Sequence, residues 1–274
     1  MTYCIGIRLD AGMVFLSDSR TNAGLDRVST FRKMMLYEKP GDRFMTLLTS
    51  GNLSVAQSVR EILQVESVPN GDEAPITIWN AASMYDAARV LGSAVRRVHQ
   101  QDGPSLAAAG VEFNATMIFG GQIKGEAMRL FLVYAAGNFI EATRETCFFQ
   151  AGESKYGKPI LDRILTPATT LAEAAKCALV SIDSTMNSNL SVGLPLDLLI
   201  YERDELASGK FVCVDDRNPY FQSIRDTWGQ RLKQVFESIE DPQWNGGPAT
   251  NPLCDAASPY EPLRKITHPG EKTV

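Results

Sequence analysis

The sequence predicts an α+β domain in which two sheets pack together and helices cover their outer faces. Three observations predict it. Apolar runs with strand spacing and apolar runs with helical spacing fall in separate blocks, in the order strands, two helices, strands, two helices, strands, helix. A parallel sheet wound by alternating strands and helices would not give that order. The 274 residues suffice for one large core, with no internal repeat or linker. The 44% hydrophobic and 22% charged residues are ordinary proportions for a globular domain.

Each block can be justified in turn. Cys4 to Leu9 and Met13 to Ser17 read as strands around Asp10-Ala11-Gly12, a hairpin-like turn in which Gly12 supplies any positive φ. A third strand, Phe44 to Thr49, ends at Ser50-Gly51-Asn52. Val55, Val59, Ile62 and Leu63 then recur at helical spacing behind Ser54 as N-cap. Ala81, Met84, Ala88, Leu91, Val95 and Val98 form a longer helical stripe, read as a core face. Strands return at Thr116 to Phe119, Arg129 to Tyr134, Phe139 to Ala142 and Cys147 to Gln150, with Gly120-Gly121 and Gly137-Asn138 as turns. One helix is expected to start near Ser154. Another starts after Thr170, whose Glu173 three residues on completes a capping box. Leu196 to Tyr201 and Lys210 to Val214 supply two strands, and Asn218-Pro219 opens an amphipathic helix carrying Ile224, Trp228, Leu232, Val235 and Phe236. The expected domain therefore spans residues 1–240. Residues 241–274, rich in Pro, Gly, Asn and charge without periodicity, read as an irregular C-terminal extension.

Composition excludes several function classes. A net charge of −5 and the lack of a basic stripe argue against nucleic-acid binding. No apolar run approaches the roughly 20 residues of a membrane span, and the start MTYCIGIRLDAG has no signal-peptide pattern. Cys4, Cys147, Cys177, Cys213 and Cys254 are scattered, as expected of reduced thiols in a cytoplasmic protein. The two histidines, His99 and His268, stand outside any cluster, so a histidine metal site or a Ser-His triad is not expected. No metal or cofactor is called for. A hydrolase built on this chain needs another base. Thr2 follows the initiator Met and is small enough for its removal. The freed residue would carry a hydroxyl nucleophile beside an α-amine of ordinary pKa about 7.7–8.0, which serves as general base near neutrality.

The spacing downstream of Thr2 is more specific. TYCIGIRLDAGMVFLSDSRTNAGLDRVSTFRKMM, followed by LLTSGNLSVAQ, resembles the proteasome β-subunit superfamily, most of all its bacterial Anbu (ancestral β-subunit) branch, with weaker similarity to about Tyr201. The resemblance implies the N-terminal-nucleophile hydrolase fold, a four-layer αββα sandwich of two antiparallel sheets. It implies catalysis by Thr2, Asp18, Lys33, Gly51 and Ser154. Lys33 would lower the hydroxyl pKa, a role that adjacent Arg32 fills poorly because guanidinium does not share its proton. Asp18 would hold Lys33 charged and oriented. Gly51 would offer its N–H to an oxyanion. Arg20 would support the Asp18 loop.

The family segment that orients the terminal amine reads AGESKYG in this chain, so Ser154, or else Glu153, would take that part; Ser154 could equally cap a helix. The family's later Asp has no counterpart in NSNLSVG, where Ser188, Asn189 and Ser191 are the candidates. Thr49, Leu53 and Gln57 match positions lining the specificity pocket and imply a mainly neutral substrate side chain. The implied activity is hydrolysis of peptide or unfolded polypeptide through an acyl-enzyme, in a ring or ring-like homo-oligomer that an ATPase partner could feed. The alternatives are a catalytically silent assembly or scaffold protein and a small-amide amidase on the same fold.

Overall fold

The computed structural model describes residues 2–22 and 28–241. The chain divides into two compact units, Met1–Trp228 and Gly229–Val274. The extension expected from 241 onward lies outside the described residues except for Asp241, and so do Cys254 and His268.

The first unit opens with β1 (Tyr3–Arg8), β2 (Gly12–Asp18), the short β3 (Arg20–Asn22) and β4 (Val28–Thr30), then β5 (Met34–Lys39) and β6 (Arg43–Gly51). Helix α1 (Leu53–Leu63), the hairpin β7 (Val68–Asn70) and β8 (Glu73–Ile76), and the long α2 (Met84–Ala108) follow. The middle strands are β9 (Ala115–Ile123), β10 (Arg129–Val133), β11 (Phe139–Glu141) and β12 (Phe148–Gly152). Then come α3 (Lys158–Ile164), α4 (Leu171–Ser188), β13 (Leu196–Glu202), β14 (Lys210–Val214) and α5 (Pro219–Glu237).

Two five-stranded sheets result, ordered β12-β1-β2-β13-β14 and β11-β10-β9-β6-β5. Every neighbouring pair within them is antiparallel. The period-2 alternation of strand side chains sorts the core into clusters. On β2, Val14 and Leu16 join Leu161 of α3, Ala178 and Ile182 of α4, and Phe221 of α5. Their neighbours Met13 and Phe15 point the other way and join Phe44, Leu48, Ile118 and Leu130 of the second sheet. On the far side of that sheet, Met45, Leu47 and Phe119 pack with Val55 and Val59 of α1 and Leu91 and Val95 of α2. Phe15, Phe44, Phe119 and Phe131 are fully buried, each contributing about 1.5–3 kcal/mol of transfer free energy.

Several local expectations change. The N-cap of α1 is Asn52, not Ser54; Asn52 Oδ1 accepts from the Ser54 N–H at 3.0 Å and from its hydroxyl. Gly12 does not have a positive φ. It is needed because a Cβ there would lie 2.1 Å from the carbonyl oxygen of Tyr201 on β13. Gly120-Gly121 is no turn but the middle of β9, where a Cβ on Gly120 would meet Leu130 Cδ1 at 2.7 Å and one on Gly121 the Phe44 carbonyl oxygen at 2.1 Å. Ala81 precedes α2, which is capped by Ser83. The helix expected near Ser154 starts four residues later, at Lys158. The Thr170–Glu173 capping box is present as expected. On α5, Ile224 is buried; in the second unit Leu232, Val235 and Phe236 are exposed.

Candidate active site

Thr2 sits just ahead of β1, between β2 and β12. The N–H of its neighbour Tyr3 donates to Asp18 Oδ1 at 2.9 Å. Its own carbonyl accepts the Glu153 N–H at 2.7 Å. This close approach requires Gly152, which has φ +86° and whose Cβ would stand 2.0 Å from that carbonyl oxygen. Tyr3 points to the helix side, where its hydroxyl is 2.6 Å from Ser181 Oγ on α4. Cys4 points between the sheets, its thiol donating to the Thr49 carbonyl at 3.6 Å. By strand alternation Thr2 shares the face of Cys4.

Lys33 reaches the same region from the loop before β5. Its Nζ donates to Asp18 Oδ1 and to the Arg20 carbonyl, each at 2.7 Å. Its own carbonyl accepts the Thr49 N–H at 3.0 Å. Lys33 is 5% exposed and Asp18 0%. Burial pushes the Asp18 carboxyl above its ordinary value, while the Lys33 ammonium and the N–H groups of Tyr3 and Gly193 pull it down. An ion pair this deep is costly to form and costly to break from one side.

Gly51 closes β6 with φ +111°, and a Cβ there would lie 2.3 Å from the Asn114 carbonyl oxygen. Thr2, Lys33, Thr49, Gly51 and Leu53 line one cavity of about 550 Å³. Thr2 and Asp18 come from the first sheet, Lys33 and Gly51 from the second, so the cavity forms where the two sheets meet.

Not every expected residue is there. Gln57 is exposed on α1 and does not line this cavity. Ser154 lines a separate hollow of about 290 Å³ with Lys158 and Asp162. Glu153 is buried beside Thr2, its carboxylate accepting from the Lys155 N–H at 3.1 Å and from Asn189 Nδ2 at 3.0 Å. Of the candidates at the end of α4, Ser188 is its last residue and Asn189 its C-cap. Ser191 donates its N–H to Asn189 Oδ1 at 3.0 Å.

Arg20 does more than support a loop. Its carbonyl grips Lys33, its side chain lines the cavity, and its Nη1 donates to the Leu190 carbonyl at 3.0 Å. Asn114 and Gly152 also line the cavity and were not singled out from sequence. Their roles depend on the β6–β9 and β1–β12 registers, which spacing along the chain does not reveal.

Similarity to solved structures decides the family. The chain is 46% identical to Anbu (ancestral β-subunit) from Yersinia bercovieri, covering 89% of this chain and 100% of that one with a TM-score of 0.80. The chain belongs to the Anbu family. Anbu from Hyphomicrobium sp. strain MC1 is 45% identical over 87% of this chain and 98% of that chain, at TM-score 0.78. A helical assembly of the Anbu complex from Pseudomonas aeruginosa is 44% identical over 88% of this chain and 98% of that chain, at TM-score 0.80. No protein-family model and no functionally curated protein matches the chain. Membership makes this a proteasome-related β-type protein with a mixed α+β fold. No helix among the described residues is long and apolar enough to cross a membrane.

Proposed function

We propose that this Anbu-family chain is a proteasome-like threonine peptidase, built as a four-layer αββα sandwich over residues 1–240 and active once Met1 is removed. The observation that carries this reading is the shared cavity of Thr2 and Lys33, with Lys33 tied to buried Asp18. Thr2 Oγ attacks the peptide carbonyl and transfers its proton to the Thr2 α-amine, while the Lys33 ammonium favours the alkoxide. The oxyanion of the tetrahedral intermediate accepts the Gly51 N–H. The C–N bond breaks as the proton passes to the leaving amine, and an ester on Thr2 remains. Water, deprotonated by the neutral α-amine, attacks that ester; its C–O bond breaks and the proton returns to Thr2 Oγ.

Thr49 and Leu53 offer the substrate a small, mainly neutral subsite beside the cationic Lys33 and Arg20. Peptides or unfolded polypeptides are the substrates of this reading, the cytoplasm its setting, and an ATPase the kind of partner that would feed it. The assembly of the Pseudomonas relative supports a homo-oligomer here as well. One observation favours catalytically silent assembly instead: Ser154, expected to orient the amine, lines a different hollow.

Intact-mass measurement of the N-terminus followed by treatment with a peptide epoxyketone separates the two. The peptidase reading expects loss of Met1 and one adduct on Thr2, formed by its hydroxyl and amine together. A retained Met1, or a freed Thr2 that stays unlabelled, leaves assembly as the function.

A further inference from the structure

Along an extended strand the N–H and C=O of one residue point to the same side, and those of the next residue to the other. The Tyr3 N–H points to β2, where it meets Asp18 at 2.9 Å. The main-chain groups of Thr2 therefore face β12, and its carbonyl does accept from Glu153 there. An α-amine on Thr2 emerges on that side too. Glu153 is 8% exposed. Its two oxygens accept from neutral donors, the Lys155 N–H and Asn189 Nδ2. Among the described residues no Lys or Arg pairs with it. A buried carboxylate without a cation is unfavourable, and removing Met1 creates one positive charge beside it.

The geometry points to Glu153 as the counter-ion of the freed Thr2 α-ammonium, a positioning residue that holds the amine on the β12 side of the nucleophile. This rests on the peptidase reading for the freeing of the amine. Of the other charged groups, Lys33 and Arg20 share the Thr2 cavity and act against Glu153; the Asp18 carboxylate acts in the same sense as Glu153 but is engaged by Lys33 and Tyr3. The two cations favour the neutral amine; Glu153 favours the charged one. Its carboxylate thereby sets the pH at which the general base becomes available.

The test uses processed protein with its N-terminus verified by mass. Competitive acetylation of the Thr2 amine across pH reports its pKa in wild type and in Glu153→Gln. The expected result is a pKa lower by about one unit or more in the variant. The acidic limb of epoxyketone labelling should move to lower pH by the same amount. Unchanged titration overturns the assignment. Should Glu153→Gln not fold, wild type decides: an amine titrating above the ordinary range of about 7.7–8.0, despite two nearby cations, supports it, and one at or below that range overturns it. A retained Met1 overturns both readings. A freed Thr2 that ignores epoxyketone removes only the peptidase, and one whose titration ignores Glu153 removes only this inference.

Discussion

At Lys33 a structural and a chemical demand meet in one ammonium. It neutralises Asp18, which is fully buried, and it charges the cavity that Thr2 lines. Replacing it by Met leaves the Asp18 carboxylate buried without its cation, a loss of about 3–5 kcal/mol. Urea denaturation should show that loss. Epoxyketone labelling of whatever protein remains folded should slow by about 10²-fold or more, the usual worth of a proton-handling group. A folded Lys33→Met protein that labels at the wild-type rate would remove Lys33 from the mechanism.

Asp197 carries only half of this logic. It is buried on β13, its nearest cation is Arg32 with Nε 4.0 Å away, and Oδ2 makes no hydrogen bond. Burial lifts its carboxyl above the ordinary 3.8, and Arg32 lowers it by less. A raised folded pKa means that its contribution to stability is whole below the unfolded value and is lost as pH rises through the folded one. Asp197→Asn should therefore leave Tm unchanged near pH 3.5. At pH 7 it should raise Tm by about 2–4 °C, the shift expected for 1 kcal/mol in a domain of this size. A variant less stable at pH 7 than wild type would show that Arg32 outweighs burial. Both Lys33 and Thr2 were legible in the sequence because their type and order are distinctive. Glu153 was readable only as an alternative to Ser154, since no spacing rule says which of two adjacent side chains turns inward.

Elements were legible where one period dominates and obscure where neighbours decide. The short apolar runs of β1 and β2 on either side of a turn and the 3.6 period in α1 and α2 could be read directly, as could the capping box of α4. Gly120-Gly121 misleads because its cause lies elsewhere: Leu130, Met13 and the Phe44 carbonyl crowd that stretch of β9. Gly152 is the same kind of residue with a functional consequence. It ends β12 with φ +86° and lets the Thr2 carbonyl approach. Gly152→Ala combines a strained φ with a backbone clash, so Thr2 and β12 must move apart. A displacement of about 1 Å is enough to slow chemistry about 10²-fold. Labelling of Thr2 should fall by that order while the far-UV circular dichroism stays that of the wild type. Unchanged labelling would mean that the β1–β12 contact does not position the nucleophile.

For the whole molecule, the site exists only because two sheets are held face to face. Asp18 and Thr2 belong to the sheet that contains β1 and β2, whereas Lys33 and Gly51 flank β5 and β6 of the other. The cluster between them joins Met13 and Phe15 to Phe44, Leu48, Ile118 and Leu130. The sequence showed that both faces of β2 are apolar, yet which face met a helix and which met a sheet depended on pairing across the chain. Truncating Phe15 tests this common support. Phe15→Ala removes a fully buried ring and should cost about 3–5 kcal/mol. Because the ring touches both sheets, unfolding should remain a single transition with a lower midpoint and an unchanged denaturant slope. Two separated transitions would mean that each sheet and its helices are stable alone. The site would then lie between independent bodies instead of inside one core. A single transition, with Thr2 labelling slowed even well below the midpoint, is the expected result: loosening the contact between the sheets separates Thr2 from Lys33 before anything unfolds.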